Sequence, residues 1–558
     1  MSDLELVALA IEEWGEAAFE KIYGSFAIAA WDTRDKRMLL ARDICGRRPL
    51  FYNLNKDRLA FASLPKGLKA LPDVAPDADP AEIERFMRLL PPSHGKSHHR
   101  DILRVMPGHV VAISKHSQFS KRYWEPLLEP LEFDQQIDYE KELGEKLRQS
   151  VDAALRDVPT VIGAQLSAGF DSTAVVTTAA QILARDDNRI IAYTAVPSED
   201  YVDHLDAWQI ADEGELAAKT AALYANIEHI RLPTDRHPLE TLNQLGLDEG
   251  MPNLNLCNQT WADAIYRAAR RRGLTVMLEG SMGNATISES GVLALPELFG
   301  KGRLTSWFKV GRGLVRHGWM RWRGVLWNTL KPKVPSSLWF LLERSTGRLN
   351  LPIRRYVAMQ EKSWERATKS GQAEATTTKG AEKINVLDSE QTVWSSVDER
   401  LSMLNEDFGA YYKEVLAEYG LDIRDPTADR RLIEFSLRVP VERLIEGGNP
   451  RAILRKVLED RAPSEVLDNR RKGYQGADWW VHMQGRRDEY AAEIDRIAMF
   501  DPTNEMIDVD RLRRLIKEWP EEGSDYWKTH EAEVDYRYSM LRAISAASFM
   551  RRASGSNY

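Results

Sequence analysis

Ser167-Ala-Gly-Phe-Asp171-Ser172 brings two hydroxyls, a bare glycine backbone and a carboxylate into six consecutive positions. Together these groups suit a magnesium-bound triphosphate. The segment follows an apolar run at 161–166 and precedes a helix-like stretch at 173–183. A strand, a tight turn of small residues and a helix start build a phosphate cradle. The first helical N–H groups lack intrahelical partners, and the helix dipole is positive at that end. A bulky residue at position 169 would hold phosphates off, and Asp171 can hold Mg²⁺ against the triphosphate. Leu166, Ser167, Ala168, Gly169, Asp171 and Ser172 are therefore candidate nucleotide-binding residues. Small turns after strands are common, so the segment alone does not separate a nucleotide site from an ordinary strand-to-helix turn.

A second glycine-containing run, Leu278-Glu-Gly280-Ser-Met-Gly283-Asn284-Ala-Thr-Ile-Ser288, follows another short apolar stretch. From position 139 onward, helical patterns alternate with apolar strands at 160–166, 189–196 and 274–279. That alternation predicts a parallel sheet flanked by helices, with its ligand site at the carboxyl ends of the strands. Both glycine loops then fall on one edge. Upstream, 23–63 reads as a β-rich meander that resumes at 106–113 and closes near 126. A Pro- and Glu-containing stretch comes next as a linker. The expected organisation is a β-rich domain over 1–124, a linker over 125–138, a ligand-binding α/β domain over 139–548 and a flexible tail over 549–558.

A chain of 558 residues exceeds one hydrophobic core, and 43% hydrophobic with 29% charged residues describes a folded, soluble protein. A net charge of −8 gives no general attraction to nucleic acid. Cys45 and Cys257 lack metal-ligand spacing and suit a reducing compartment. The acidic, amphipathic start has no signal-peptide pattern, and no apolar stretch reaches spanning length. A cytoplasmic enzyme without stable membrane insertion is expected. Nine Lys or Arg residues and four tryptophans between positions 301 and 333, with no acidic residue, form either a surface helix pair with core tryptophans or a docking surface. The small polar stretch 368–384 reads as a mobile loop, and His98-His99 as a solvated loop pair.

Several ordered motifs resemble the asparagine synthetases. Tyr23–Asp32, Ala41-Arg-Asp43, Arg48-Pro-Leu-Phe-Tyr52 and Phe61-Ala-Ser63 are similar to the later part of their glutaminase domain. Ser167–Ser172 resembles the SGGxDS loop of the ATP pyrophosphatases, with Ala168 for the second glycine. Asp422-Ile-Arg424-Asp-Pro426 and Arg470-Arg-Lys472-Gly473-Tyr474 resemble the synthetase half. The resemblance implies an α/β protein: a truncated Ntn-hydrolase-like β-rich domain, then a PP-loop ATP pyrophosphatase synthetase domain with a parallel sheet. It implies ATP and Mg²⁺ as cofactors, Gly280 and Gly283 on the nucleotide side, Asp171 and Asn284 as metal ligands, and Lys472 on the pyrophosphate side. It also makes Asp422 with Arg424 a catalytic pair; pairing with Arg424 as structural glue is the alternative.

Two departures bear on activity. A class II glutaminase uses an N-terminal cysteine, which this sequence lacks; Cys45 reads as a packed thiol, so glutamine hydrolysis is not expected. Asn284 stands where the family has an aspartate, which weakens the metal site. Gly473-Tyr-Gln475-Gly-Ala-Asp478-Trp479 and Gly283–Ser288 most resemble the asparagine-synthetase-like cyclases of lasso peptide biosynthesis. That family adenylates an Asp or Glu side chain of a precursor core peptide, and the peptide's N-terminal amine closes a macrolactam. The implied partners are the precursor core peptide, a leader-removing protease and a leader-recognition element. An asparagine synthetase and an inactive partner-binding scaffold are the alternatives. Residues 248–255 are expected to border the substrate pocket.

Overall fold

The computed structural model describes residues 2–90, 92–244, 250–331, 334, 353–377, 396–404 and 407–555. Alternating side chains between positions 27 and 122 build two small antiparallel sheets. Their strands are β1 (Ala27–Asp32), β2 (Arg37–Arg42), β3 (Phe51–Leu54), β4 (Leu59–Ala62), β5 (Leu103–Arg104), β6 (His109–Ser114) and β7 (Gln118–Arg122). One sheet runs β1-β2-β6-β7 and the other β4-β3-β5. Successive residues of a strand face opposite sides. Leu39 and Ala41 accordingly pack with Phe19, while Leu40 packs with Leu50, Tyr52 and Val111 between the sheets.

The second domain holds a five-stranded parallel sheet. Its strands are β8 (Val161–Gln165), β9 (Arg189–Val196), β11 (Ile227–Pro233), β12 (Val276–Leu278) and β13 (Asp422–Arg424), in the order β11-β9-β8-β12-β13. A short parallel pair, β10 (Gln209–Ile210) with β14 (Lys472–Gly473), lies beside it. Ile190, Ala192 and Tyr193 on β9 are buried, as helices on both faces require. The chain leaves β8 toward β9 and β11, then returns on the other side of β8 to form β12. The carboxyl end of β8 is thus the topological switch point, where open α/β sheets bind ligands.

Several sequence expectations change. The tail expected from 549 is the end of a helix, Leu541–Ala553, in which Phe549, Met550 and Ala553 are buried. Phe549 lies over His98 and His99, with ring centroids 6.0 and 5.1 Å apart, so these histidines are buried instead of solvated. Burial pushes His98 down to about 3. Residues 368–377 belong to a helix, Glu361–Thr377, and 378–384 lie outside the described residues. The last part of the expected linker opens a helix, Gln136–Ala154. The basic segment forms two helices, Leu304–Arg316 and Trp322–Leu330, whose tryptophans divide. Trp307 is partly buried and donates to Thr329 Oγ1 at 2.9 Å, while Trp322 stacks on Phe308 at the surface. Among the described residues no helix is long and apolar enough to cross a membrane.

The domains are joined through a buried charge cluster. Arg42 and Arg104 of the first domain each donate to Asp407 of the second at 2.8 Å. Burial alone would raise the Asp407 carboxyl, yet the two guanidiniums hold it well below the usual carboxylate range. Its stabilising contribution is therefore fully present above the unfolded value of roughly 3.9 and is lost as pH falls toward the folded one. Asp407→Asn is expected to lower stability by about 3–5 kcal/mol at pH 7, because it leaves buried guanidiniums short of charge. Chemical denaturation of the two proteins at descending pH checks this: the gap should shrink below about pH 4.

Candidate active site

A cleft of about 570 Å³ opens at the carboxyl ends of β8, β9 and β12. Its floor is the turn between β8 and the helix Phe170–Leu183, with Gly169 as N-cap. The turn is closed by its own side chains. Ser167 N–H donates to Ser172 Oγ at 3.0 Å, Gly169 N–H to Ser167 Oγ at 3.0 Å and Ala168 N–H to a Glu213 carboxylate oxygen at 3.1 Å. Two hydroxyls and one carboxylate thus accept from the N–H groups of the turn. Leu166 is buried beneath, its carbonyl accepting from Thr194 Oγ1.

The second glycine loop lies directly on this turn. A Cβ at Gly280 would meet the Asp171 backbone at 3.1 Å, and one at Gly283 would land on the Asp171 carboxyl group. The two glycines therefore bring the loop against Asp171; Gly280 also lines the cleft. Asp171 Oδ1 is buried without a hydrogen-bond partner. Burial pushes this carboxyl up to about 6, with Ser288 and Arg451 pulling the other way. Asn284 is exposed to the cleft, its amide oxygen 3.4 Å from Ser288 Oγ. An orphaned carboxylate oxygen beside a cleft-facing amide fits Mg²⁺ that keeps waters and binds substrate phosphates through one carboxylate. The described residues contain no cluster of three or more His, Cys, Asp or Glu suited to a metal, so the nucleotide would have to supply further oxygens.

The catalytic pair expected at Asp422 and Arg424 is not at the cleft. Asp422 begins β13, level with Val276 at the start of β12, and so lies toward the amino ends of the strands. It pairs with Arg48 of the first domain at 2.9 Å and with Arg424 at 2.8 Å, while Arg424 also donates to the carbonyls of Ala154 and Arg156. Both residues serve the domain junction. Lys472 is exposed on β14 outside the cleft lining, although Tyr474 and Gln475 just beyond it line the cleft. Its neighbour Gly473 packs against Glu213, which links β14 to the nucleotide turn. Of the 248–255 segment, residues 251–255 line the cleft, and Asp248 and Glu249 lie outside the described residues. Cys45 and Cys257 are buried; burial pushes the first thiol far up and the second to about 12, so neither suits a nucleophile.

Four residues outside the sequence-derived set matter here. Glu213 closes the turn, and Glu279 with Tyr411 and Tyr412 lines the inner wall. Glu279 stands immediately after β12, the position from which parallel sheets present ligand-contacting groups, and that placement is a signal the sequence carries. Glu213 has no comparable local signal.

This architecture defines a nucleotide-dependent ligase of the PP-loop type. Residues 142–545 match the asparagine synthase family and residues 1–124 a glutamine amidotransferase domain. The chain belongs to the asparagine synthase family, whose members use ATP. It is 23% identical over 485 residues to asparagine synthetase [glutamine-hydrolyzing] 3 of Bacillus subtilis, covering 85% of this chain and 70% of that protein. Asparagine synthetase [glutamine-hydrolyzing] 1 of the same organism is 30% identical over 182 residues, 32% of this chain and 28% of the relative. Amidase chry2 of Gibberella zeae is 25% identical over 232 residues, 39% and 33% of the two chains.

Asp171→Ala is expected to weaken magnesium-dependent ATP binding at least about 100-fold by calorimetry, and Gly283→Ala at least about tenfold by forcing the loops apart. Wild-type affinity should fall as pH drops through about 6, because protonation of Asp171 competes with the metal.

Proposed function

We propose that this chain is an ATP-dependent carboxylate–amine ligase that adenylates an Asp or Glu side chain of a peptide and closes it on the peptide's own N-terminal amine, as a lasso peptide cyclase does. One observation carries the choice of substrate. Among the described residues, no Lys, Arg or His lines the cleft. Free aspartate brings an α-carboxylate that would enter without a cationic partner, which is costly. A peptide brings neutral amides instead. Asn258 Oδ1, Gln259 Nε2 and Trp261 Nε1 are buried without partners in the cleft wall, an acceptor and two donors of the kind backbone amides need.

In this reading the substrate carboxylate oxygen attacks the α-phosphorus of ATP, and the bond to pyrophosphate breaks. The amine then attacks the acyl carbon and AMP leaves. The first turn of the helix from Phe170 faces phosphate with its free N–H groups and positive dipole end. Asp171 would hold Mg²⁺, with weaker help from the Asn284 amide, and the metal when bound would offset charge on the departing pyrophosphate. Lys472, exposed near the mouth, would meet that pyrophosphate as it forms. A precursor core peptide, a leader-removing protease and a leader-recognition element are the proposed partners, and the cytoplasm the proposed site of action.

The long match to an asparagine synthetase favours a second reading, in which free aspartate is the acid. ATP–pyrophosphate exchange separates the two. Exchange that requires a leader-free peptide and not aspartate is expected; exchange with aspartate alone contradicts the cyclase reading, and no exchange with either favours a scaffold. Lys472→Met should cut exchange about 100-fold or more while ATP affinity changes less than about threefold; equal losses would assign the lysine to ground-state binding.

A further inference from the structure

Glu279 is 5% exposed, and the charges around it do not balance. Arg47 reaches in from the first domain and stands 3.8 Å from Glu279 Oε1 and 3.7 Å from Asp425 Oδ2, one guanidinium facing two carboxylates. Those separations allow attraction without a hydrogen bond. Asp425 is satisfied elsewhere: Met282 N–H and Thr427 N–H each donate to it at 2.9 Å, and the Thr427 hydroxyl adds a third bond. Glu279 Oε1 has no hydrogen-bond partner among the described residues. Burial pushes the Glu279 carboxyl up, Arg47 pulls it down and Asp425 raises it further, with Tyr412 and Ser281 lowering it.

Three tyrosine phenols lie near the same carboxylate. Tyr266 and Tyr411, their hydroxyls 3.2 Å apart, feel its charge together with Tyr412, and all three line the cleft. The Arg47 guanidinium lies 4.2 Å from the centroid of the Tyr412 ring, which fixes both groups. An unmatched buried carboxylate oxygen beside tyrosine hydroxyls calls for a cation. Glu279 also precedes Gly280, which packs on the backbone of Asp171, so such a cation would sit beside the nucleotide turn.

We propose that Glu279 holds the ammonium group of the incoming amine against the tyrosines and takes its proton, and that Arg47 is the positioning residue through which the first domain keeps Glu279 in place. This inference rests on the ligase reading. The ammonium gives one proton to Glu279, and its nitrogen lone pair forms the C–N bond to the acyl carbon. The C–O bond to AMP breaks with its electron pair, and the second nitrogen proton leaves on the AMP phosphate. Glu279 then returns its proton to water.

Calorimetry on the full chain with benzylammonium and its neutral counterpart benzyl alcohol tests the site without knowledge of the peptide. The wild type should prefer benzylammonium at least tenfold at pH 8, and the preference should fade as pH is lowered and Glu279 protonates. Glu279→Gln should abolish it. Arg47→Met should move the pH at which the preference appears upward, since burial then acts unopposed, and Arg47→Lys should restore most of it. Equal or absent binding of the two probes to wild type, or a preference retained in Glu279→Gln, overturns the proposal; an unmoved pH midpoint in Arg47→Met overturns the role of Arg47. ATP–pyrophosphate exchange is read separately. Its absence in a protein that still prefers benzylammonium would defeat the ligase reading and leave the cation site standing.

Discussion

The contact between Asp171 and the loop after β12 is the constraint on which the site depends. Two strands on opposite sides of the switch point must end at the same height. The loop from one must then come close enough to cover a carboxylate on the other. Gly280 and Gly283 make that possible because side chains there would meet Asp171 backbone or carboxyl. The result is a carboxylate taken out of water with one oxygen unpaired, in a cleft whose described walls carry no cation. A protein keeps such an oxygen at a cost unless a ligand completes it. The nucleotide turn is provisional in the same sense: Ser172, Glu213 and Ser167 occupy its N–H groups and can be exchanged for stronger acceptors.

The first domain bears on the site through charge. Arg42 and Arg104 fasten Asp407, Arg48 fastens Asp422, and Arg47 enters beside Glu279 and Asp425. A domain whose Cys45 is buried can still be needed, because removing it would leave Asp407 without Arg42 and Arg104 and Asp422 with Arg424 alone.

The local features are legible in the sequence. The turn at 167–172, the glycines at 280 and 283 and the parallel sheet are set by residue type and spacing, since each is decided within one strand–turn–helix unit. Motif position alone puts Asp422 and Arg424 in the chemistry; the structure puts them at the junction. A three-residue strand leaves its first residue at the amino end, and only residues beyond its last can reach the cleft. Arg47 carries no signal, as its carboxylate partners belong to the other domain. His98, His99 and the chain from 549 carry no local sign of burial, because the groups that cover them, Phe549 and Phe86 on the histidines and a core cluster drawn from distant segments around Met550 and Ala553, are remote in sequence.

A crystal structure of the full chain with magnesium and a non-hydrolysable ATP analogue decides whether the turn at 167–172 holds the nucleotide. A triphosphate is expected at the start of the helix from Phe170, with Asp171 on the metal and Glu213 displaced from the Ala168 amide. A nucleotide bound elsewhere, or the turn still closed by Glu213 with Asp171 distant from the metal, would contradict it.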